Sequence, residues 1–272
     1  MNYLQKRLYE MRKKRNTGTG EYIKNGLLFW VDGILNTESG HSETTNTWYD
    51  RISKINRKIY NYGYVKDGEK IPTIYWNNNK LTINSAGRID NVVAQNKGVT
   101  VQSGLTNGAV KTIEITAEIP QYIRNTDGTS TTSKNSFIIT CPFYNDGRST
   151  NHFKPNANFA EGCFRFQYIN ISNTIKTVRS YTLPTQKATY CFTVEKNEAN
   201  VNLKIYLNGI LKQSLVLTDV VEGCEGFCCA YVLDNTSTKF SADVYAVRMY
   251  NRPLTSIEIL NNYNTDLNRY GG

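Results

Sequence analysis

At 272 residues the chain suits one large all-β domain or two small ones, and it can bury a real core without covalent staples. Its formal charge of +9 is concentrated at the start, where Lys6, Arg7, Arg12, Lys13, Lys14 and Arg15 face Glu10 alone, so the rest of the chain carries too little excess to mark a specific nucleic-acid binder. The opening residues hold no apolar signal region, and no later stretch approaches the roughly twenty apolar residues of a membrane span, which argues against a signal-led or membrane-spanning chain.

In chain order, residues 1–20 are expected to form a basic arm ahead of one domain over residues 21–272. Leu4, Leu8 and Met11 share one helical face, a helix too short to persist alone in water. Docking onto a larger assembly is the favoured reading of the arm, ahead of a solvated tail and of contact with anionic lipid or phosphate. "TGTGE" at 17–21 reads as a hinge.

Strand-like runs follow at 26–33, 73–76, 80–84, 99–102, 111–119, 136–140, 163–171, 189–196, 201–209, 211–217, 226–233 and 244–250, each bounded by Gly, Asn, Asp, Pro or Ser clusters. Strand after strand with little helix between them points to an antiparallel β-sandwich. The segments at 124–136 and 145–162 read as mobile loops. In "IYLNGIL", Leu203, Ile205 and Leu207 face one way and Lys204 and Tyr206 the other, while Asn208-Gly209 supplies a type I′ turn. In the last run, strict alternation puts Val244, Ala246 and Arg248 on one side and Tyr245, Val247 and Met249 on the other. Arg252-Pro253 ends that strand. Thr255 and Glu258 then form a capping box with Leu254 and Ile259 as its staple, opening a short helix with Ile259, Leu260, Tyr263 and Leu267 as its apolar stripe.

Three stretches carry a family resemblance. "TYCFTVEKNEANVNLKIYLNGILKQS" resembles the strand, hairpin and Tyr-x-Asn-Gly turn of laminin-G-like domains among the concanavalin A-like lectin/glucanase jelly rolls. "FSADVYAVRMYNRPLTSIEILNNYNTD" is similar to the closing strand and helix of bacterial and phage members, and "NGLLFWVDGILNT" with "TWYDRIS" resembles their opening strand. It departs from them at Arg51-Ile52-Ser53, where such proteins carry a tighter Gly-rich turn. The resemblance implies an antiparallel jelly-roll β-sandwich. In it the final strand pairs with the N-terminal region and the short helix covers an end of the sandwich.

Catalysis finds little support. Glucanases of this superfold carry paired carboxylates on one strand, whereas Glu114 and Glu118 stand four positions apart, about 13 Å on a strand. His41 and His152 lie in loop-like surroundings without a nucleophile beside them. Cys141, Cys163, Cys191, Cys224, Cys228 and Cys229 read foremost as small buried hydrophobes, with a disulfide or a metal as the lesser readings. Saccharide binding has a physical basis in the nineteen tyrosines and Asn-rich loops, since sugars are held by aromatic faces and by amide or carboxylate hydrogen bonds. Tyr75, Trp76 and Asn77 form one candidate cluster, and Asp32, Asn36 and His41 another. Structural use of both clusters is the competing reading.

The expectation is a non-catalytic, lectin-like module on a phage virion or other extracellular assembly, bound to a cell-surface glycan and attached to other assembly proteins through its arm. It could form homo-oligomers. No cofactor is called for. Calcium stays open, because its several convergent oxygens cannot be assembled from one sequence. A purely architectural virion protein is the alternative, and a divergent glycoside hydrolase is the third reading.

Overall fold

The computed structural model describes residues 20–37, 47–61, 64–66, 69–71, 73–77, 79–84, 99–105, 108–118, 152–158, 163–169, 175–180, 184, 186–198, 200–218, 227, 231–232 and 241–271. The arm residues Lys6 to Arg15, the segment at 124–136, the run at 136–140, His41, Cys141, Cys224, Cys228 and Cys229 lie outside the described residues.

The strands are β1 (Leu27–Asp32), β2 (Thr47–Asp50), β3 (Ile55–Asn61), β4 (Tyr64–Lys66), β5 (Glu69–Ile71), β6 (Thr73–Asn77), β7 (Lys80–Asn84), β8 (Val99–Gln102) and β9 (Thr112–Glu118). They continue as β10 (His152–Asn158), β11 (Cys163–Ile169), β12 (Ile175–Ser180), β13 (Ala188–Asn197), β14 (Asn200–Leu207), β15 (Ile210–Leu217), β16 (Tyr231–Val232) and β17 (Ser241–Tyr250). A short α1 (Gly33–Thr37) follows β1, and α2 (Ser256–Tyr270) follows β17. The main sheet runs β15-β14-β13-β9-β17-β1-β2-β3-β8-β16, and β7 pairs with both β17 and β6. A small sheet β10-β11-β12 lies against β14 and β15. The protein is an all-β, antiparallel sandwich.

Alternation builds the core. Ile113, Ile115 and Ala117 of β9, Phe192 and Val194 of β13, and Leu203 and Ile205 of β14 are buried in one cluster. Trp48 and Trp76 meet edge to face within it, 5.4 Å apart. The β14–β15 hairpin turns at Asn208 (φ 52°) and Gly209 (φ 75°), as the Asn-Gly pair predicts. A Cβ on Gly209 would lie 2.8 Å from a Leu260 methyl group, so this turn packs closely on α2.

Strict alternation fails in β17. Its register against β9 shifts between Val244 and Ala246, a β-bulge that sends Val244 into the core with Val247 and Met249. Tyr245, expected on the same side as Val247 and Met249, turns to the outer face, where it meets Tyr270 of α2. Residues 145–162 also depart from expectation. His152–Asn158 is a strand paired with β11, so His152 is not in a loop, and Pro155 sits on the edge strand of its sheet, where proline is tolerated. The strand is polar and lacks alternation, so its own residues give no strand signal and its pairing with β11 reveals it.

The capping box is present: the Glu258 N–H donates to Thr255 Oγ1, and the Thr255 N–H donates to Glu258 Oε2 at 2.8 Å. Leu254 and Ile259 share a buried cluster, completing the staple. Rather than plugging an open end of the core with an apolar stripe, α2 lies over the outer face of the central strands and buries Ile259, Asn262, Thr265 and Asp266. Arg252 clasps the Glu258 carboxylate at 2.9 and 2.6 Å, which with the Thr255 hydrogen bonds depresses its pKa to about 2. A depressed carboxylate stabilises above its ordinary pKa of 4.5 and loses that contribution as pH falls toward 2. The difference in melting temperature between wild type and Glu258→Gln should therefore close over that window; a constant difference would show that the charge is not what holds the cap.

Candidate functional site

The bulge in β17 brings together a solvent-facing row. Asp243 stands opposite Glu118 of β9 on one side and Thr82 of β7 on the other, and Thr82 stands opposite Tyr75 of β6. Ala188 of β13 pairs with Ala117, so the antiparallel register places Lys187 next in line beyond Glu118. Five strands at about 4.8 Å make this row roughly 19 Å long. Tyr75, 46% exposed, stands at one end.

Thr82 donates to Asp243 Oδ1 at 2.7 Å, and Lys80 forms an ion pair with Oδ2. The hydrogen bond and charge of Asp243 outweigh partial burial and raise the Lys80 pKa. Behind the row, the Tyr245 ring has Lys80 Nζ at 5.8 Å and Lys187 Nζ at 5.2 Å from its centre, with the Tyr270 ring at 5.4 Å. The Lys187 ammonium donates to the Tyr270 carbonyl. Aromatic faces, hydroxyl, carboxylates and ammonium groups thus line one strip, a set suited to a polyhydroxylated ligand.

The nominated residues distribute unevenly. Tyr75 is the exposed one. Trp76 packs against Trp48, and the Asn77 side chain lies outside what is described. Asp32 is buried, accepting from the Leu35 N–H at 3.1 Å and from Arg269 at 3.0 Å. Asn36 is also buried, its Oδ1 accepting from the Tyr49 N–H at 2.9 Å. Asp32 and Asn36 through these hydrogen bonds, and Trp76 through its ring contact, are therefore engaged within the fold. The two clusters do adjoin: a Cβ on Gly33, the residue after Asp32, would strike the Asn79 carbonyl between β6 and β7 at 2.1 Å. Sequence reading missed Tyr245, Lys80, Lys187 and Asp243, because the register that aligns them is set by pairing between distant strands.

It also missed a buried polar layer beneath α2. Arg248 of β17 donates to both oxygens of Asp266 at 2.8 and 2.7 Å and to Glu114 of β9 at 2.9 Å. Asp266 also accepts from Tyr22, Thr116 and Thr189, and Asn262 donates to Glu114 and to the Tyr250 hydroxyl. The Arg248 guanidinium lies 4.1 Å from the centre of the Tyr22 ring. Burial pushes the Glu114 carboxyl up while Arg248 opposes it. Sealed from solvent, Glu114 meets no ligand. The layer fixes α2 on the sheet and so positions Tyr270 beside the outer strip. Cys191, opposite Glu114, is a buried free thiol.

Among the described residues no three His, Cys, Asp or Glu side chains gather as a metal site, and no helix there is long and apolar enough to cross a membrane. No protein-family model and no curated protein matches the chain. Solved structures do. The binding domain of botulinum neurotoxin DC in complex with SialylT aligns at TM-score 0.56 and 14% identity, over 88% of this chain and 51% of that one. The binding domain of Paraclostridial Mosquitocidal Protein 1 aligns at 0.54 and 14%, over 89% and 53%. A third, named for the dependence of botulinum neurotoxin type C cell entry on two ganglioside molecules, aligns at 0.54 and 14%, over 94% and 52%. These likenesses show the fold. The chain spans about half the length of the structures it matches.

Proposed function

We propose that this chain is a laminin-G-like, non-catalytic carbohydrate-binding module whose ligand lies along the Tyr75–Lys187 strip. The observation that carries the reading is Tyr75 standing exposed in register with Thr82, Asp243 and Glu118: a stacking face followed by hydrogen-bonding groups. Solved structures of similar fold named for sialylated or ganglioside ligands support it. The basic arm over residues 1–20 attaches the domain over 21–272 to other proteins of a phage virion or another extracellular assembly, and the ligand is a cell-surface glycan.

Binding of the full chain to a panel of bacterial and animal glycans tests the proposal. Tyr75→Ala should weaken the best ligand about tenfold, the loss of one stacking contact, with an unchanged melting temperature. Absence of binding anywhere on the panel overturns the reading. Asp243 and Glu118 are the facing carboxylates of the strip, so the same panel is assayed for reducing-sugar release; release abolished by Glu118→Gln would make the protein a glycoside hydrolase instead.

A second reading has its own observation. Edge strand β15 exposes Ile210, Leu211 and Val216 at 48, 47 and 55%, an apolar edge suited to contact between protein subunits. A monodisperse oligomer in light scattering without glycan affinity would favour an architectural virion protein.

A further inference from the structure

The charges of the strip are not evenly satisfied. Asp243 has Lys80 and Thr82 on its two oxygens, so that pair is closed. Lys187 differs. Its ammonium is turned onto the Tyr270 carbonyl and toward the Tyr245 ring, and among the described residues it forms no ion pair, although Glu118 is its neighbour in the row. A carbonyl and an aromatic face orient an ammonium without neutralising it, and their shared position holds this one at the mouth formed by Tyr245 and Tyr270.

Resting on the carbohydrate-binding reading, we propose that Lys187 is the subsite for an anionic group on the glycan. The ligand is then an acidic oligosaccharide laid across the strands. A neutral sugar face stacks on Tyr75, and a carboxylate or sulfate meets Lys187 at the other end, roughly 19 Å away by strand spacing. A charged acceptor strengthens the hydrogen bond from an ammonium that already has its position fixed by Tyr245 and Tyr270. Tyr75 then sets affinity for the chain of sugars, and Lys187 selects the acidic ones among them.

The experiment is calorimetry of the full-length protein with matched probes: tetragalacturonate against its methyl ester, and sulfated against desulfated carrageenan oligosaccharides, alongside the neutral and acidic members of the glycan panel. Wild type should bind the acidic form of a pair about tenfold tighter, with the advantage shrinking as salt is raised. The matched probes also separate the carboxylate source from the sulfate source. Lys187→Met should weaken the acidic form of a pair about tenfold more than the neutral form and so abolish that preference, and Lys187→Arg should restore it. Equal binding of acidic and neutral forms by wild type, or equal weakening of both by Lys187→Met, overturns the inference while the lectin reading stands. Binding of neither form of any probe removes both.

Discussion

Replacing Arg248 with Met is expected to cost about 3–5 kcal/mol of folding stability, the penalty for leaving buried carboxylates without their cation. Asp266 and Glu114 lose three hydrogen bonds and the positive charge between them. Among the described residues their other hydrogen-bond partners are hydroxyl and amide donors: Tyr22, Thr116, Thr189 and Asn262. Urea denaturation followed by circular dichroism reads the loss. The triple variant Arg248→Met, Glu114→Gln, Asp266→Asn should recover part of it, because neutral partners do not need the missing charge. A loss below about 1 kcal/mol in the single variant would mean that water reaches the layer and it is not the clamp described. Loosened α2 would also let Tyr270 drift from Tyr245, so any glycan affinity should fall with stability.

Trp48→Ala is expected to cost a similar 3–5 kcal/mol, through lost transfer energy and the cavity left behind. Trp48 is fully buried and meets Trp76 edge to face, so its removal takes away the floor on which β6 presents Tyr75. Among the described residues the buried indole Nε1 of Trp48 has no hydrogen-bond partner, so Trp48→Phe should cost clearly less than Trp48→Ala: the ring contact partly survives and an unsatisfied donor disappears. Equal losses for both variants would show that the indole nitrogen is satisfied after all. Thermal melts of the two variants settle the comparison.

Much of the scaffold is readable without coordinates because it depends on near neighbours. β7 and β8 fall on the predicted residues, and β9, β13, β14 and β15 differ by a residue or two at their ends. The Asn208-Gly209 turn and the Thr255 capping box are local chemistry and are present as read. The strands β3, β10 and β12 escaped, since their runs lack clean alternation, and β3 pairs in addition with β8, far away in sequence. Of the nominated sugar residues whose side chains are described, Tyr75 alone has its exposure in favour of the role. Composition can nominate Asp32, Asn36 and Trp76, but it cannot show that Arg269, the Tyr49 N–H and Trp48 already occupy them.

The sequence by itself determined the fold class, the hairpin, the cap and the basic character of residues 1–16, because period, turn residues and capping pairs act within a few positions. Tertiary structure alone decided which side chains reach solvent together. One bulge at Tyr245 parts Val244 from Ala246 and Tyr245 from Val247, and antiparallel register aligns Tyr75, Thr82, Asp243, Glu118 and, just ahead of β13, Lys187. The physical reason is that a strand's side chains alternate with a period of two. A single inserted residue therefore changes what faces water, and only long-range pairing determines where that insertion falls.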